Sequence, residues 1–145
     1  MRSYFPDVNV WIALTYRGHV HYPQATAWLD QVDAGSIFFC RFTQLGLLRV
    51  LTNSHVMGAE VCTQREAWRA YDRWFGDDRV AFLDEPPQVE AALRRLTQTS
   101  QALPAAWPDA YLAALSRAAG LTLVTLDKGF QRFEHLDLLL LESAS

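Results

Sequence analysis

Short apolar runs alternate with helical patterns along nearly the whole chain, and this alternation restricts the possible folds more than any other feature. The runs lie at residues 3–8, 35–40, 79–83, 121–126 and 136–142. A strand that is apolar on both faces has to be covered on both faces. Such strands with helices between them predict an α/β fold of three layers, in which helices flank a central, mostly parallel five-stranded sheet.

The segments between the strands carry helix signals. Thr43 is expected to cap a helix that runs to Asn53. A helix from Pro108 to Ala119 is expected to end at Gly120, because glycine favours the position just after a helix. Residues 98–107 read as a connecting segment. Further helices are predicted at 9–14, 21–32, 63–75 and from Pro86 or Pro87 onward.

Composition limits the class of protein. The 145 residues suit a single domain, residues 1–145, and half of them are hydrophobic. A net charge of −3 argues against a general nucleic-acid binder, though not against a small site lined by a few arginines. Cys40 and Cys62 lack the spacing of a zinc site. With no apolar run of membrane-spanning length and no signal-peptide pattern, a cytoplasmic protein without membrane contact is expected.

Asp7 is the residue that first suggests a function. It lies in the stretch SYFPDVNVWIAL, residues 3–14, where its flanks are apolar. A buried carboxylate is costly unless it has a partner. A nearby arginine or a helix N-terminus would be a structural partner, and a cation shared with distant carboxylates would be a functional one.

Two further aspartates are expected at the same edge of the sheet. Asp127 follows the fourth strand, and Asp109 lies in the first turn of the helix that leads into that strand. Sites in parallel α/β sheets form beyond the carboxyl ends of the strands, so Asp7 joins them if the first and fourth strands are neighbours. Three carboxylates together suit Mg²⁺ or Mn²⁺. Taken singly, Asp109 also suits a helix dipole and Asp127 an ordinary turn.

Four motifs occur in the order FPDVNVWIAL, RFTQLGLLRVLTN, PDAYLAALSRAAG and LVTLDKGF. In order and spacing they resemble the PIN-domain ribonucleases, and among these the VapC-like toxins of bacterial type II toxin–antitoxin modules. The resemblance covers nearly the whole chain and implies a PIN-like fold. It implies metal-binding and catalytic roles for Asp7, Asp109 and Asp127, with Thr125 as a hydrogen-bonding support for the site.

The same resemblance implies an activity and partners. The activity is Mg²⁺-dependent endoribonuclease cleavage, with Mn²⁺ as an alternative cation, in which metal-activated water attacks an RNA phosphodiester and leaves a 5′-phosphate and a 3′-hydroxyl. The implied partners are the RNA substrate, a cognate antitoxin whose C-terminal segment covers the acidic groove, and a second copy of the chain in a homodimer.

Gln44 departs from the family pattern, which has a glutamate at this position. Leucines follow it at helical spacing, so it is expected to face inward, toward the site. A glutamine can offer its carbonyl oxygen to water or metal, but it supplies no negative charge. Asn9 follows Asp7 by two residues and can orient that carboxylate or cap the next helix. Gln44, Asn9 and Thr125 are the expected substrate-contacting residues.

Two other functions stay open from the sequence. Gln44 favours a catalytically weakened PIN domain that binds RNA or antitoxin without cutting, and dependence on Mg²⁺ would separate this from a nuclease. A phosphoacceptor receiver domain has the same alternating architecture. It requires an acidic pair after the first strand, where this chain has DVN, and it has no counterpart of the PDAYLAAL helix.

Overall fold

The computed structural model describes residues 2–142 and contains a five-stranded sheet. Its strands are β1 (Ser3–Pro6), β2 (Ser36–Phe39), β3 (Val80–Phe82), β4 (Thr122–Thr125) and β5 (Leu138–Leu140). The helices are α1 (Val8–Thr15), α2 (Tyr22–Gln31), α3 (Arg41–Leu51), α4 (Ser54–Met57), α5 (Gln64–Trp74), α6 (Val89–Leu96) and α7 (Trp107–Ala119). Short 3₁₀ turns lie at Gly58–Glu60, Pro104–Ala106 and Lys128–Arg132.

The strand order is β3-β2-β1-β4-β5, and every pair of neighbouring strands is parallel. The predicted α/β class and five strands are therefore confirmed, with a sheet that is wholly rather than mostly parallel. The chain moves outward from β1 to β3, then returns to place β4 on the other side of β1. This reversal lies between β1 and β4, where Pro6 pairs with Val124, and it is where parallel sheets commonly form sites.

Each face of the sheet is covered by its own hydrophobic core. Phe5 and Leu123 face one core, to which α6 and α7 contribute. Ile37, Phe39 and Val124 belong to the other core, which contains residues of α1, α2, α3 and α5. Leu123 and Val124 are adjacent and fully buried on opposite faces, as alternation along a strand requires. The strands are thus apolar on both faces because helices lie on both faces.

Helices α1 and α3 approach closely because Gly46 has no side chain. A Cβ atom at this position would lie only 2.6 Å from Cγ2 of Val8. Next to this contact, Trp11 stacks on Phe39 with ring centroids 3.7 Å apart. The close packing fixes the start of α1, and with it Asp7, against the first part of α3.

Several predicted boundaries are wrong by a few residues. The first strand ends at Pro6 rather than at residue 8, because Asp7 is already the N-cap of α1. Helix α3 is preceded by Cys40 as its N-cap, and Thr43 is its third residue. The Thr43 hydroxyl still supports this end of the helix, since its Oγ1 accepts a hydrogen bond of 3.0 Å from the Cys40 amide.

Of the helix ends predicted from prolines and a glycine, only the end at Gly120 is correct. Neither Pro86 nor Pro87 opens α6, which begins at Val89. Helix α7 starts at Trp107, one residue before Pro108. Gly120 is the predicted C-terminal cap, with a left-handed φ of +67°. No helix between residues 2 and 142 has the length and apolar character needed to cross a membrane.

Candidate active site

Asp7 joins the end of β1 to the start of α1. Its backbone N–H donates to the Val124 carbonyl of β4 over 2.9 Å, and its side chain caps α1 by accepting from the Val10 N–H at Oδ1, also 2.9 Å. The other carboxylate oxygen, Oδ2, accepts a hydrogen bond from the Thr125 hydroxyl. The residue is 4% exposed. The helix N-terminus and Thr125 are therefore its structural partners.

These partners do not fully offset the cost of burying the Asp7 carboxylate. The pKa of Asp7 is raised from 3.8 to about 6. Burial is the largest cause, the carboxylates of Asp127 and Asp109 add to the rise, and the hydrogen bonds from Thr125 and Val10 oppose it. The other two aspartates thus act on Asp7 electrostatically, and each added negative charge makes its ionisation harder. The meeting of the three carboxylates at one metal ion stays a prediction.

Thr125 connects two of these aspartates. It is the last residue of β4 and is fully buried. Its hydroxyl donates to Asp7 and accepts from the Asp127 backbone N–H over 3.0 Å. Asp127 in turn caps the 3₁₀ turn after β4, because its Oδ1 accepts from the Gly129 N–H over 2.7 Å. Asp127 is exposed, so the pair presents one buried and one accessible carboxylate.

Asp109 lies in the first turn of α7 and pairs with Arg132. Arg132 is not among the site residues predicted from the sequence. Arg132 Nη2 donates to Asp109 Oδ2 over 3.2 Å, and the two side chains are 45% and 33% exposed. The Arg132 guanidinium also lies 4.4 Å from the centre of the Phe133 ring. An arginine in the turn after Asp127 has no distinctive spacing, so the sequence offered no signal for this contact.

The three aspartates suit a divalent cation by chemical type. Carboxylate oxygens are the ligands that Mg²⁺ and Mn²⁺ prefer, and a cation would relieve the repulsion that raises the pKa of Asp7. Within residues 2–142, however, no three His, Cys, Asp or Glu side chains lie close enough together to hold a metal ion. Asp109 accepts a hydrogen bond from Arg132, and Asp127 accepts one from Gly129, so both carboxylates already have partners.

Gln44 is buried, as predicted from its helix, and is 5% exposed. Its Oε1 accepts a hydrogen bond of 2.6 Å from Nη1 of Arg41, one turn earlier in α3. It also lies beside Tyr71: burial raises the pKa of the Tyr71 hydroxyl, and hydrogen bonding to Gln44 partly offsets this rise. The inward orientation is therefore present, but these contacts are with Arg41 and Tyr71 rather than with the aspartates.

Asn9 is exposed in the first turn of α1. The expectation that it could cap this helix is wrong, because Asp7 is the cap. Within the part of the chain that the structure describes, the Asp7 carboxylate takes its hydrogen bonds from Val10 and Thr125, not from Asn9. Asn9 is thus left at the rim of the acidic edge, accessible to solvent.

Comparison with known proteins identifies the family to which this arrangement corresponds. The PIN domain family matches residues 4–136. The chain belongs to the PIN domain family. Ribonuclease VapC41 of Mycobacterium tuberculosis is 44% identical over 140 residues, which cover 93% of this chain and 96% of that protein. Ribonuclease VapC38 of the same organism is 29% identical over 130 residues, 85% of this chain and 84% of that protein. The resemblance to VapC-like proteins is confirmed.

Solved structures of the PIN domain family share the fold. VapBC2 from Rickettsia felis, bound to a DNA fragment from its promoter, superposes with a TM-score of 0.72 at 15% identity and covers 96% of this chain and 98% of its own. Mycobacterium tuberculosis VapC20, described as a Sarcin-Ricin loop cleaving toxin, gives a TM-score of 0.67 at 16% identity, with coverages of 93% and 98%. At these identities the likeness concerns the fold.

Proposed function

We propose that this PIN domain protein is a divalent-cation-dependent endoribonuclease and the toxin of a type II toxin–antitoxin module. The observation that carries the proposal is the state of Asp7, a buried carboxylate that the fold holds beside two further carboxylates at the reversal point of the sheet. Buried carboxylates with a strongly raised pKa are found most often at functional sites. The names of the curated relatives, Ribonuclease VapC41 and Ribonuclease VapC38, support the choice of RNA as the substrate.

In this proposal Asp7, Asp109 and Asp127 hold Mg²⁺, or Mn²⁺ in its place. When bound, the ion supplies Lewis-acid activation of water and neutralises negative charge on the phosphodiester. Asp7 is the fixed ligand, because hydrogen bonds from Val10 and Thr125 restrict both of its oxygens. Asp127 and Asp109 are the movable ligands, since both are accessible and each has a single described side-chain contact to give up. The products are a 5′-phosphate and a 3′-hydroxyl.

The remaining predicted residues support or border this site. Thr125 is a positioning residue, because its hydroxyl links the Asp7 carboxylate to the Asp127 backbone. Asn9, exposed at the rim, is a substrate-contacting candidate. Gln44 is an uncharged polar residue near the start of α3, and its carbonyl oxygen accepts a hydrogen bond from Arg41.

Exposed apolar side chains support the proposed protein partners, a cognate antitoxin and a second copy of the chain. Leu45 on α3, Val56 on α4 and Trp68 on α5 are 56%, 59% and 48% exposed. Large apolar side chains gathered on neighbouring elements favour a protein-covered surface. The VapBC2 complex of Rickettsia felis, to which the fold is similar, contains the antitoxin type that this partner would resemble.

A second candidate function rests on Gln44. Because a neutral amide bonded to Arg41 stands at a position where the family usually has a glutamate, the edge carries one negative charge fewer. A PIN domain weakened in this way would bind RNA or its antitoxin without efficient cleavage. Cleavage that depends on Mg²⁺ argues for the first function, and RNA binding that is indifferent to Mg²⁺ argues for the second.

The test is cleavage of total RNA by the purified protein across a Mg²⁺ and Mn²⁺ titration, with mapping of the new 5′ ends. Wild type is expected to cut, and Asp109→Asn is expected to be inactive at every metal concentration. Asp72→Asn, which changes an exposed carboxylate on α5, is the matched control and should cut like wild type. A wild type that binds RNA but stays inert in both metals would overturn the nuclease in favour of the binding domain.

A further inference from the structure

A cavity of about 490 Å³ opens beside Asp109, between the end of α6 and the start of α7. Its size lies within the range of small-molecule pockets. We call it the α6–α7 groove; among the residues that line it are Thr97, Gln101, Leu103, Trp107, Arg132 and Phe133. The lining combines aromatic, apolar and hydrogen-bonding side chains with one cation.

Trp107 is the most exposed large aromatic side chain of this groove. It is 57% exposed, and Leu103 on the preceding segment is 50% exposed. Trp11 and Trp28, in contrast, are buried in the core on the opposite face of the sheet. Leaving a tryptophan half in water forgoes much of its hydrophobic stabilisation, so Trp107 adds little to the core and remains free to contact a ligand.

Arg132 makes the groove continuous with the acidic edge. It lines the groove, and its Nη2 also donates to Asp109 over 3.2 Å. Its guanidinium packs over Phe133, which keeps the planar group at the groove wall. A guanidinium and an indole ring that line one groove match the two parts of a nucleotide, since arginine suits a phosphate and an indole ring suits a base.

We propose that the α6–α7 groove holds one unstacked nucleobase of the RNA next to the cleaved phosphodiester. The base stacks on Trp107, and the adjoining backbone phosphate contacts Arg132. This inference rests on the proposed function, because it assigns a subsite to the same RNA. Stacking on an indole accepts any base, so Trp107 supplies affinity, while the side chains of Thr97 and Gln101 can discriminate between base edges.

The test is single-turnover cleavage, in Mg²⁺, of a short RNA that spans a site cut in total RNA. Trp107→Ala is expected to raise the protein concentration needed for half-maximal rate by roughly tenfold and to leave the maximal rate unchanged, whereas Trp107→Phe keeps most of the affinity. An abasic nucleotide at the stacked position should cost wild type the same factor and cost Trp107→Ala nothing further. Val20→Ala is the control, because its apolar side chain is 76% exposed in the loop between α1 and α2, away from the groove.

The proposal is wrong if Trp107→Ala leaves the half-maximal concentration within twofold of wild type while wild type still cuts, and the nuclease function then stands without it. It is also wrong if Trp107→Ala weakens only the capture of co-expressed antitoxin, because the groove would then be a protein contact. If wild type does not cut, binding of a short random-sequence RNA in Mg²⁺ decides: the subsite stands only if Trp107→Ala, and not Val20→Ala, weakens that binding.

Discussion

The carboxyl edge of the sheet has two halves that differ in their buried polar side chains. At β1 and β4, Asp7, Thr125 and Asp127 form a hydrogen-bonded acidic cluster. At β2 and β3, Gln44 bonds to Arg41, whose guanidinium lies 4.9 Å from the centre of the Phe82 ring. The same parallel sheet supports both halves, so the fold alone does not make an acidic site. The side chains at the strand ends make the difference between the two halves.

The first half contains a buried carboxylate, whereas the buried polar side chain of the second half, Gln44, is neutral. Burial and two neighbouring carboxylates raise the pKa of Asp7 to about 6. In the second half, the charge of Arg41 faces a neutral carbonyl oxygen and an aromatic ring. The carboxylates after β3, Asp84 and Glu85, are exposed, whereas Asp7 is buried. Changes at β1 and β4 should therefore have the larger effects.

Asp7→Asn should produce the largest effect, a fall of RNA cleavage to the level without protein. Asparagine retains the helix cap but removes the buried charge, and no other group in the acidic half has both of its oxygens fixed. Gln44→Ala in the other half is the matched comparison and should remain active. Single-turnover cleavage in saturating Mg²⁺ measures both. An active Asp7→Asn variant would show that the reaction does not depend on the acidic half of the edge.

The pH dependence of stability should follow from the same residue. Asp7 has a pKa of about 6 in the folded protein against an ordinary value of 3.8, so the folded state binds the extra proton between these values. Stability that Asp7 contributes is therefore present at low pH and lost as pH rises from about 4 to about 6, by about 3 kcal/mol. Urea unfolding in EDTA should show Asp7→Asn gaining on wild type by this amount over that range.

A constant difference between Asp7→Asn and wild type from pH 4 to pH 7 would contradict that prediction. Titrating groups that do not interact with Asp7 change the two proteins alike, so they cancel in the difference. Metal has to be absent, because a bound cation would favour the ionised carboxylate and lower its pKa.

Thr125→Val should reduce cleavage by about 10- to 100-fold, the range seen when a group that orients a metal ligand is removed. The substitution keeps the shape of the side chain but removes the hydroxyl between Asp7 and Asp127. Thr122→Val is the control on the same strand, because its hydroxyl donates to Asp137 instead. Equal activities of the two variants in saturating Mg²⁺ would show that the Thr125 hydroxyl does not position the site.

Gln44→Glu should have the smallest effect, a decrease of roughly threefold in the Mg²⁺ concentration needed for half-maximal cleavage. The new carboxylate adds negative charge, but Arg41 already lies 2.6 Å from this position and neutralises part of it. Combining Gln44→Glu with Arg41→Gln should lower the Mg²⁺ requirement further. A tenfold or larger gain from Gln44→Glu alone would mean that the two halves of the edge act as one site.

Sequence patterns were sufficient to predict the features that depend on local side-chain chemistry, namely the strands and the buried carboxylate. Apolar flanks identified Asp7 as a costly carboxylate, and apolar runs gave all five strands, because burial on both faces leaves a mark at every position. The sequence does not show that β1 and β4 are neighbours. The strand order places them side by side, and long-range packing determines that order.

Contacts between distant segments were beyond the sequence. Nothing in the turn after Asp127 indicates that Arg132 reaches Asp109 on α7, 23 positions away. The Arg41–Gln44 contact is different, because it spans one helical turn and its spacing in the sequence indicates it. The leucines after Gln44 indicate only that Gln44 is buried. Gly46 likewise gives no local sign that Val8 fills the space beside it.

The central claim is that the acidic half of the edge binds a divalent cation through Asp7. Its most direct test is a Mn²⁺ titration followed by electron paramagnetic resonance, without RNA, on wild type and Asp7→Asn. The account predicts saturable Mn²⁺ binding by wild type that Mg²⁺ displaces and that Asp7→Asn greatly weakens. Equal Mn²⁺ binding by the two proteins, or none by wild type, would contradict it.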